Sequence, residues 1–119
     1  MANTPCLSVY KTPTAERKLI EIIKFSVRKW GKETTIEYID QIDNIINSVA
    51  CGDLPCQTNP DFSLRFSYYM CKRHYIFFEF KKDKLIVVSL FHTAMDIKER
   101  LNDELTNLNP EIRNIRTNY

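Results

Sequence analysis

Lys84-Leu85-Ile86-Val87-Val88-Ser89-Leu90-Phe91-His92 is apolar from Leu85 to Phe91 apart from Ser89. A run of this length suits a strand buried on both faces, and such a strand belongs in the interior of a sheet. Just before it, Ile76, Phe78 and Phe80 alternate with other residues in Arg73-His74-Tyr75-Ile76-Phe77-Phe78-Glu79-Phe80, and the Lys81 to Lys84 cluster between the runs marks a turn. Further upstream, Leu64, Phe66, Tyr68 and Met70 alternate with Arg65, Ser67, Tyr69 and Cys71. That is the period-two pattern of a strand with one buried face, which leaves Arg65 on the other face. Lys72-Arg73 is read as the turn between these two strands. The structural reading of Arg65 is an ion pair with Glu79 across the sheet, worth less than ~1 kcal/mol if exposed.

Downstream, Thr93 and Asp96 resemble a capping box with aspartate in place of the usual glutamate. They are expected to open a helix in which Ile97, Leu101, Leu105 and Leu108 share one face. Pro110 is expected to end it, which makes residues 1–110 a single domain and 111–119 a flexible tail.

At the other end of the chain, Leu7 to Lys11 reads as a short strand. Thr12-Pro13 reads as a helix N-cap followed by proline at the first helical position, where its missing N–H costs nothing. Ala15, Leu19, Ile22, Ile23 and Trp30 recur near helical spacing, and Gly31 supplies a left-handed stop. Ile39, Ile42, Ile46 and Val49, widened by Tyr38 and Ile45, form the stripe of a second helix that ends at Gly52 before Leu54-Pro55. Two helices so closely joined should pack as an antiparallel hairpin, with Trp30 anchoring it to the core. The expected fold is therefore α+β: a β-α-α-β-β-β core whose antiparallel sheet packs on a helix hairpin, plus a C-terminal helix.

With 119 residues the chain suits one domain, and a net charge of +2 neither demands nor excludes a nucleic-acid partner. Local charge is more telling. From Arg17 to Lys32 only Glu21 opposes six basic residues, whereas from Glu33 to Asp53 five acids meet no base, so the two helices carry opposite charge. Cys6, Cys51, Cys56 and Cys71 contain no CxxC pair, and no metal or cofactor is expected. An apolar leader and a membrane-length run of ~18 apolar residues are both missing from the pattern, so the expected location is the cytoplasm, with reduced thiols.

The order strand, two helices, three antiparallel strands resembles the RelE/ParE superfamily of small bacterial toxins over about Val9 to Leu101. Trp30-Gly31 between the helices, Tyr38, Leu54-Pro55, Arg65, and His92 with Met95-Asp96 after the last strand are similar to the ParE branch. The ParE-like ending is similar to His-x-Arg-Met-Asp, but Ala94 stands here in place of the arginine. The resemblance implies the toxin of a type II toxin-antitoxin pair. Such a toxin arrests growth by binding and poisoning DNA gyrase, not by turnover, and is neutralised by a cognate antitoxin whose disordered arm folds over it.

On this resemblance, Arg65, His92, Met95 and Asp96 are candidates for target binding, and Leu19, Ile23, Ile39, Ile42 and Ile46 for antitoxin binding. The superfamily also contains ribosome-dependent mRNA endonucleases. In that alternative Arg65 is the cation at the phosphate and His92 the base or acid, and RNA or the ribosome is the partner. Ala94 motivates a third alternative, a degenerate toxin retaining only antitoxin binding. His74, beside a turn, is expected to be simply exposed, and Tyr68, Tyr69 and Tyr75 to be structural strand residues.

Overall fold

The apolar run forms an interior strand. In the computed structural model, which describes residues 5–118, the elements run β1 (Ser8–Lys11), α1 (Pro13–Trp30), α2 (Lys32–Ala50), β2 (Ser67–Cys71), β3 (His74–Lys81), β4 (Lys84–His92) and α3 (Ile97–Asn118). The sheet order is β1-β4-β3-β2. The β2-β3-β4 part is antiparallel as expected, whereas β1 pairs parallel with β4, so the sheet is mixed. Leu85 through Phe91 are all buried, because β4 has a neighbour on each edge and helices on both faces.

One face of the sheet is covered by the hairpin. Ile42, Ile46 and Val49 of α2 and Ala15 of α1 pack with Ile76, Phe78, Leu85, Val87 and Leu90. The other face is covered by α3, whose Leu101, Leu108, Ile112 and Ile115 pack with Phe66, Phe77, Ile86, Val88 and Phe91. The membership along β4 is not a simple alternation. Phe77 pairs with Ser89 but Phe78 with Val87, so Val88 is an extra residue on β4. Such a bulge reverses the facing of all that follows. Leu85 and Val87 face the hairpin before it, and Leu90 faces it afterwards.

The Thr12 cap forms as its sequence predicts: its hydroxyl accepts from Ala15 N at 3.0 Å and also donates to the Val88 carbonyl at 2.7 Å, tying the start of α1 to β4. Gly31 ends α1 and begins α2 at φ 90°, ψ 169°, an extended positive-φ conformation and not the left-handed helical one expected. Its carbonyl accepts from both the Thr35 amide and the Thr35 hydroxyl.

Several expectations need correction. The strand containing Tyr68 begins only at Ser67, so Leu64 lies in the preceding loop and is 93% exposed; Met70 and Phe80 are about half exposed. Asp96 alone caps α3, accepting from Glu99 N at 3.3 Å, while the Thr93 amide bonds to the Arg73 carbonyl. Pro110 does not end α3. The helix continues to Asn118, because burial of Leu108, Ile112 and Ile115 outweighs the hydrogen bond that proline forfeits. Residues 111–118 are therefore part of the fold, and residues 1–4 and 119 of the expected domain and tail lie outside the described residues. Finally, Cys6 and Cys51 are disulfide-bonded, not reduced thiols. Leu7 N bonds to Ala50 O, so the fold brings the two cysteines together across a separation of 45 positions that no local spacing reveals.

Candidate functional site

The bulge at Val88 turns His92 with Leu90 toward the hairpin. There they line a cleft of about 550 Å³ between the helices and the β2-β3 turn. Ile22, Phe25 and Trp30 of α1 and Met95 after β4 give it apolar walls. Tyr38 of α2 and Lys72, Arg73 and His74 supply the polar end. Lys72 adopts φ 50°, and the tight turn it makes sets the Arg73 guanidinium 4.6 Å from the centre of the Trp30 ring.

At the polar end Tyr38 reaches the Cys71 carbonyl at 2.9 Å and His74 Nδ1 at 2.7 Å. Burial pushes the Tyr38 phenol up to about 12. His74 is pushed down to about 4, by burial first and then by the neighbouring charges of His92 and Arg73. His74 is thus not the exposed turn residue expected; pairing with His92 across the strands and packing against Tyr38 enclose it. Trp30 is likewise not a core anchor. It is 43% exposed, because it ends α1 at the rim of the cleft, beyond the sheet.

A second depression, of about 680 Å³, lies between the 60–66 loop and α3 and is lined by Arg65, Asp96, Leu64 and Leu105 among others. Arg65 pairs with Glu79 at 3.1 Å, as expected, and also donates to Asn109 of α3 at 2.7 Å. Arg65 is therefore engaged on the α3 side while His92 opens on the hairpin side. The fold does not bring these two together as a catalytic pair. The target candidates divide in the same way: His92 and Met95 line the cleft, Arg65 and Asp96 the second depression.

Of the candidates for antitoxin contact, Ile42 and Ile46 are buried in the core at 0% and 2% exposure, so neither is available to a partner. Leu19 and Ile39 are partly buried against that core, and Ile23 is exposed. The stripe used to find the second helix was its inward face. What sequence reasoning missed are the apolar residues off that face: Ile20, Ile23, Val27 and Ile36 are exposed, as are Phe25 and Trp30, which line the cleft. Apolar residues off the inward stripe of an amphipathic helix were the available signal.

Behind the cleft, Lys18 is held by Glu104 of α3, donates to Ser89 Oγ at 3.0 Å and lies 3.6 Å from the centre of the Phe91 ring. Burial lowers its pKa despite that carboxylate. Glu111 accepts from the amide and hydroxyl of Thr14, capping the first turn of α1, where the helix dipole favours a carboxylate. Neither free thiol is set up as a nucleophile: burial pushes Cys56 up to about 11 and also raises Cys71. Among the described residues no cluster of three or more His, Cys, Asp or Glu is placed to hold a metal ion, and no helix is long and apolar enough to cross a membrane.

The chain is similar to known proteins in sequence and in fold. The family described as the ParE toxin of type II toxin-antitoxin systems, parDE, matches residues 9–97. Toxin ParE of Escherichia coli is 30% identical over 95 residues, 79% of this chain and 92% of that protein. Among solved structures, the chromosomal ParDE toxin-antitoxin system of P. aeruginosa contains a chain that matches with a TM-score of 0.62 at 13% identity, covering 73% of this chain and 96% of that one. At that identity the structural match speaks for the fold alone. The family match over residues 9–97 and the 30% identical relative show that the chain belongs to the ParE toxin family of type II toxin-antitoxin systems.

Proposed function

We propose that this chain is a growth-arresting toxin that acts in the cytoplasm by binding and poisoning DNA gyrase, and that a cognate antitoxin neutralises it by covering the hairpin. The observation that carries the reading is the concentration of exposed apolar side chains on α1 and the start of α2: Ile20, Ile23, Phe25, Val27, Trp30 and Ile36. An apolar surface of this kind marks an interaction site, and a disordered arm of a partner can wrap it. Inhibition by binding also fits a site where Arg65 and His92 line different depressions and neither free thiol is activated.

Expressing the chain alone in bacteria and following labelled thymidine and labelled methionine over the first minutes tests the target. Early loss of DNA synthesis with translation continuing is expected, followed by inhibition of purified gyrase in a supercoiling assay. Early arrest of translation would overturn the gyrase reading in favour of mRNA cleavage, and unimpaired growth with soluble expression would leave a binding module without toxicity. For the antitoxin, Phe25→Asp places a charge on the proposed contact surface, and co-purification of the protein encoded beside the toxin should be lost while Ile39→Val retains it.

A further inference from the structure

The cleft holds polar groups that the wrapping of an apolar partner does not require. The single hydroxyl proton of Tyr38 goes to the Cys71 carbonyl, so the 2.7 Å contact with His74 Nδ1 is made by a proton on the imidazole. His74 Nε2 is left with its lone pair, an acceptor. Across the strand pair, Ala94 N–H donates to His92 Nδ1 at 3.0 Å, which places that ring's proton on Nε2. One imidazole thus offers an acceptor and the other a donor, on rings whose centroids are 5.4 Å apart.

Around them, Lys72 and Arg73 occupy the turn just before His74, and Lys29 lines the helical wall. The fourth cation lining the cleft, Lys18, is committed to Glu104; of the two lining carboxylates Glu21 lies 3.9 Å from Arg17, and Glu37 sets one negative charge against the three positive ones of Lys29, Lys72 and Arg73. The unspent charge at the open end is therefore positive. Phe25 and Trp30, 54% and 43% exposed, lie beside it, with the Lys29 ammonium 5.6 Å and 5.3 Å from their ring centres and the Arg73 guanidinium 4.6 Å from that of Trp30, so the aromatic surface for a base is the part these cations leave open.

The geometry points to a binding site for a nucleoside 5′-phosphate, with the phosphate on Arg73, Lys72 and the His92 Nε2–H, a sugar hydroxyl on His74 Nε2, and the base against Phe25 and Trp30. Guanidinium and imidazole donors are suited to phosphate oxygens. Stacking on an aromatic side chain is worth roughly 1–3 kcal/mol per base and tolerates any base. A cavity of about 550 Å³ is of the size that takes a ligand of this class. Inorganic phosphate alone would leave the apolar wall uncovered, and an acidic peptide would use the cations but not the matched donor and acceptor. The inference does not depend on toxicity, since it concerns binding by the purified chain.

The test is a titration of the full-length protein with adenosine 5′-monophosphate, adenosine and inorganic phosphate, read by calorimetry and by the fluorescence of Trp30, the sole tryptophan. The nucleotide is expected to bind at least tenfold more tightly than either fragment. Arg73→Ala should weaken it at least tenfold with circular dichroism unchanged, because Arg73 is exposed, while Arg65→Ala in the other depression should leave it intact. A nucleotide that binds no better than phosphate, or equally well to Arg73→Ala, overturns the proposal. A 5′-phosphorylated tetranucleotide binding more tightly than the mononucleotide, with the same dependence on Arg73, would support it and assign the ligand to a strand end; weaker binding would support it with a free nucleotide as the ligand.

Discussion

On one face of the sheet α1 and α2 close over Ile76, Phe78, Leu85, Val87 and Leu90 with apolar side chains. On the other, α3 covers Phe77, Ile86, Val88 and Phe91 and is also fastened to α1 through Glu104 and Glu111. The first face lies within the family match at residues 9–97, and α3 begins where that match stops. An apolar stripe holds a helix on a sheet without fixing its position along its axis, whereas two carboxylates with separate partners on α1 fix both register and direction. The hairpin is tied by neutral groups instead: Thr12 binds α1 to β4, Tyr38 binds α2 to Cys71 and His74, and Gly31 joins the two helices directly.

The strongest way to break the comparison is to remove one cover. Truncation after Asp96 exposes Phe77, Ile86, Val88 and Phe91 together, and the product is expected to lose its cooperative thermal transition and to aggregate. A shortened chain that melts like the parent would show α3 to be an accessory. Less drastically, Ile46→Ala and Ile112→Ala empty one buried position on each face. Each should cost about 2–5 kcal/mol in urea unfolding. A loss confined to Ile46→Ala would mean that α3 detaches before the rest of the fold.

Glu104→Ala comes next, at about 1–3 kcal/mol, because it strands the mostly buried Lys18 ammonium; the estimate sits below that for a fully buried pair since both side chains keep some exposure. Combining it with Lys18→Met should recover most of the loss. If the double variant is as unstable as the sum of the singles, the pair does not act as a unit.

Acid probes the hairpin side. His74 takes its proton near 6.5 in the unfolded chain but only near about 4 in the folded one, so its contribution to stability is complete above about pH 6.5 and drains away as pH falls toward 4. Urea midpoints measured from pH 7.5 to 4.5 should fall through that window and fall less for His74→Gln. Equal slopes in the two proteins would assign the acid sensitivity to other groups.

What sequence reasoning found and what it missed follow from the range of each interaction. The β4 run, the Thr12-Pro13 cap and the hairpin stripes are local patterns, and each led to the right element. Arg65 with Glu79 was legible because β2 and β3 are neighbours, although Arg65 lies in the loop two residues before β2 and not in the strand. The bulge at Val88 depends on how two strands pair and leaves no local mark, so the facing of His92 could not be read. Tyr38 with His74 and Lys18 with Glu104 join residues far apart in the chain, for the same reason. The extension of α3 is a different kind of miss. Leu101, Leu105, Leu108, Ile112 and Ile115 continue one stripe straight through Pro110, and the proline was given more weight than the stripe.

The bond between Cys6 and Cys51 makes the covalent outline of this molecule a ring with a long tail: β1, α1 and α2 lie within the ring, and the rest of the sheet and α3 hang from it. Closing a ring of this size restricts the denatured chain by roughly 4 kcal/mol. Both cysteines are exposed, so a thiol-rich compartment opens the ring and an oxidising one keeps it shut. One polypeptide therefore has two covalent shapes, separable by mobility on a non-reducing gel. With the ring shut the edge strand is leashed to the end of the hairpin; with it open only hydrogen bonds and packing hold that strand in the sheet.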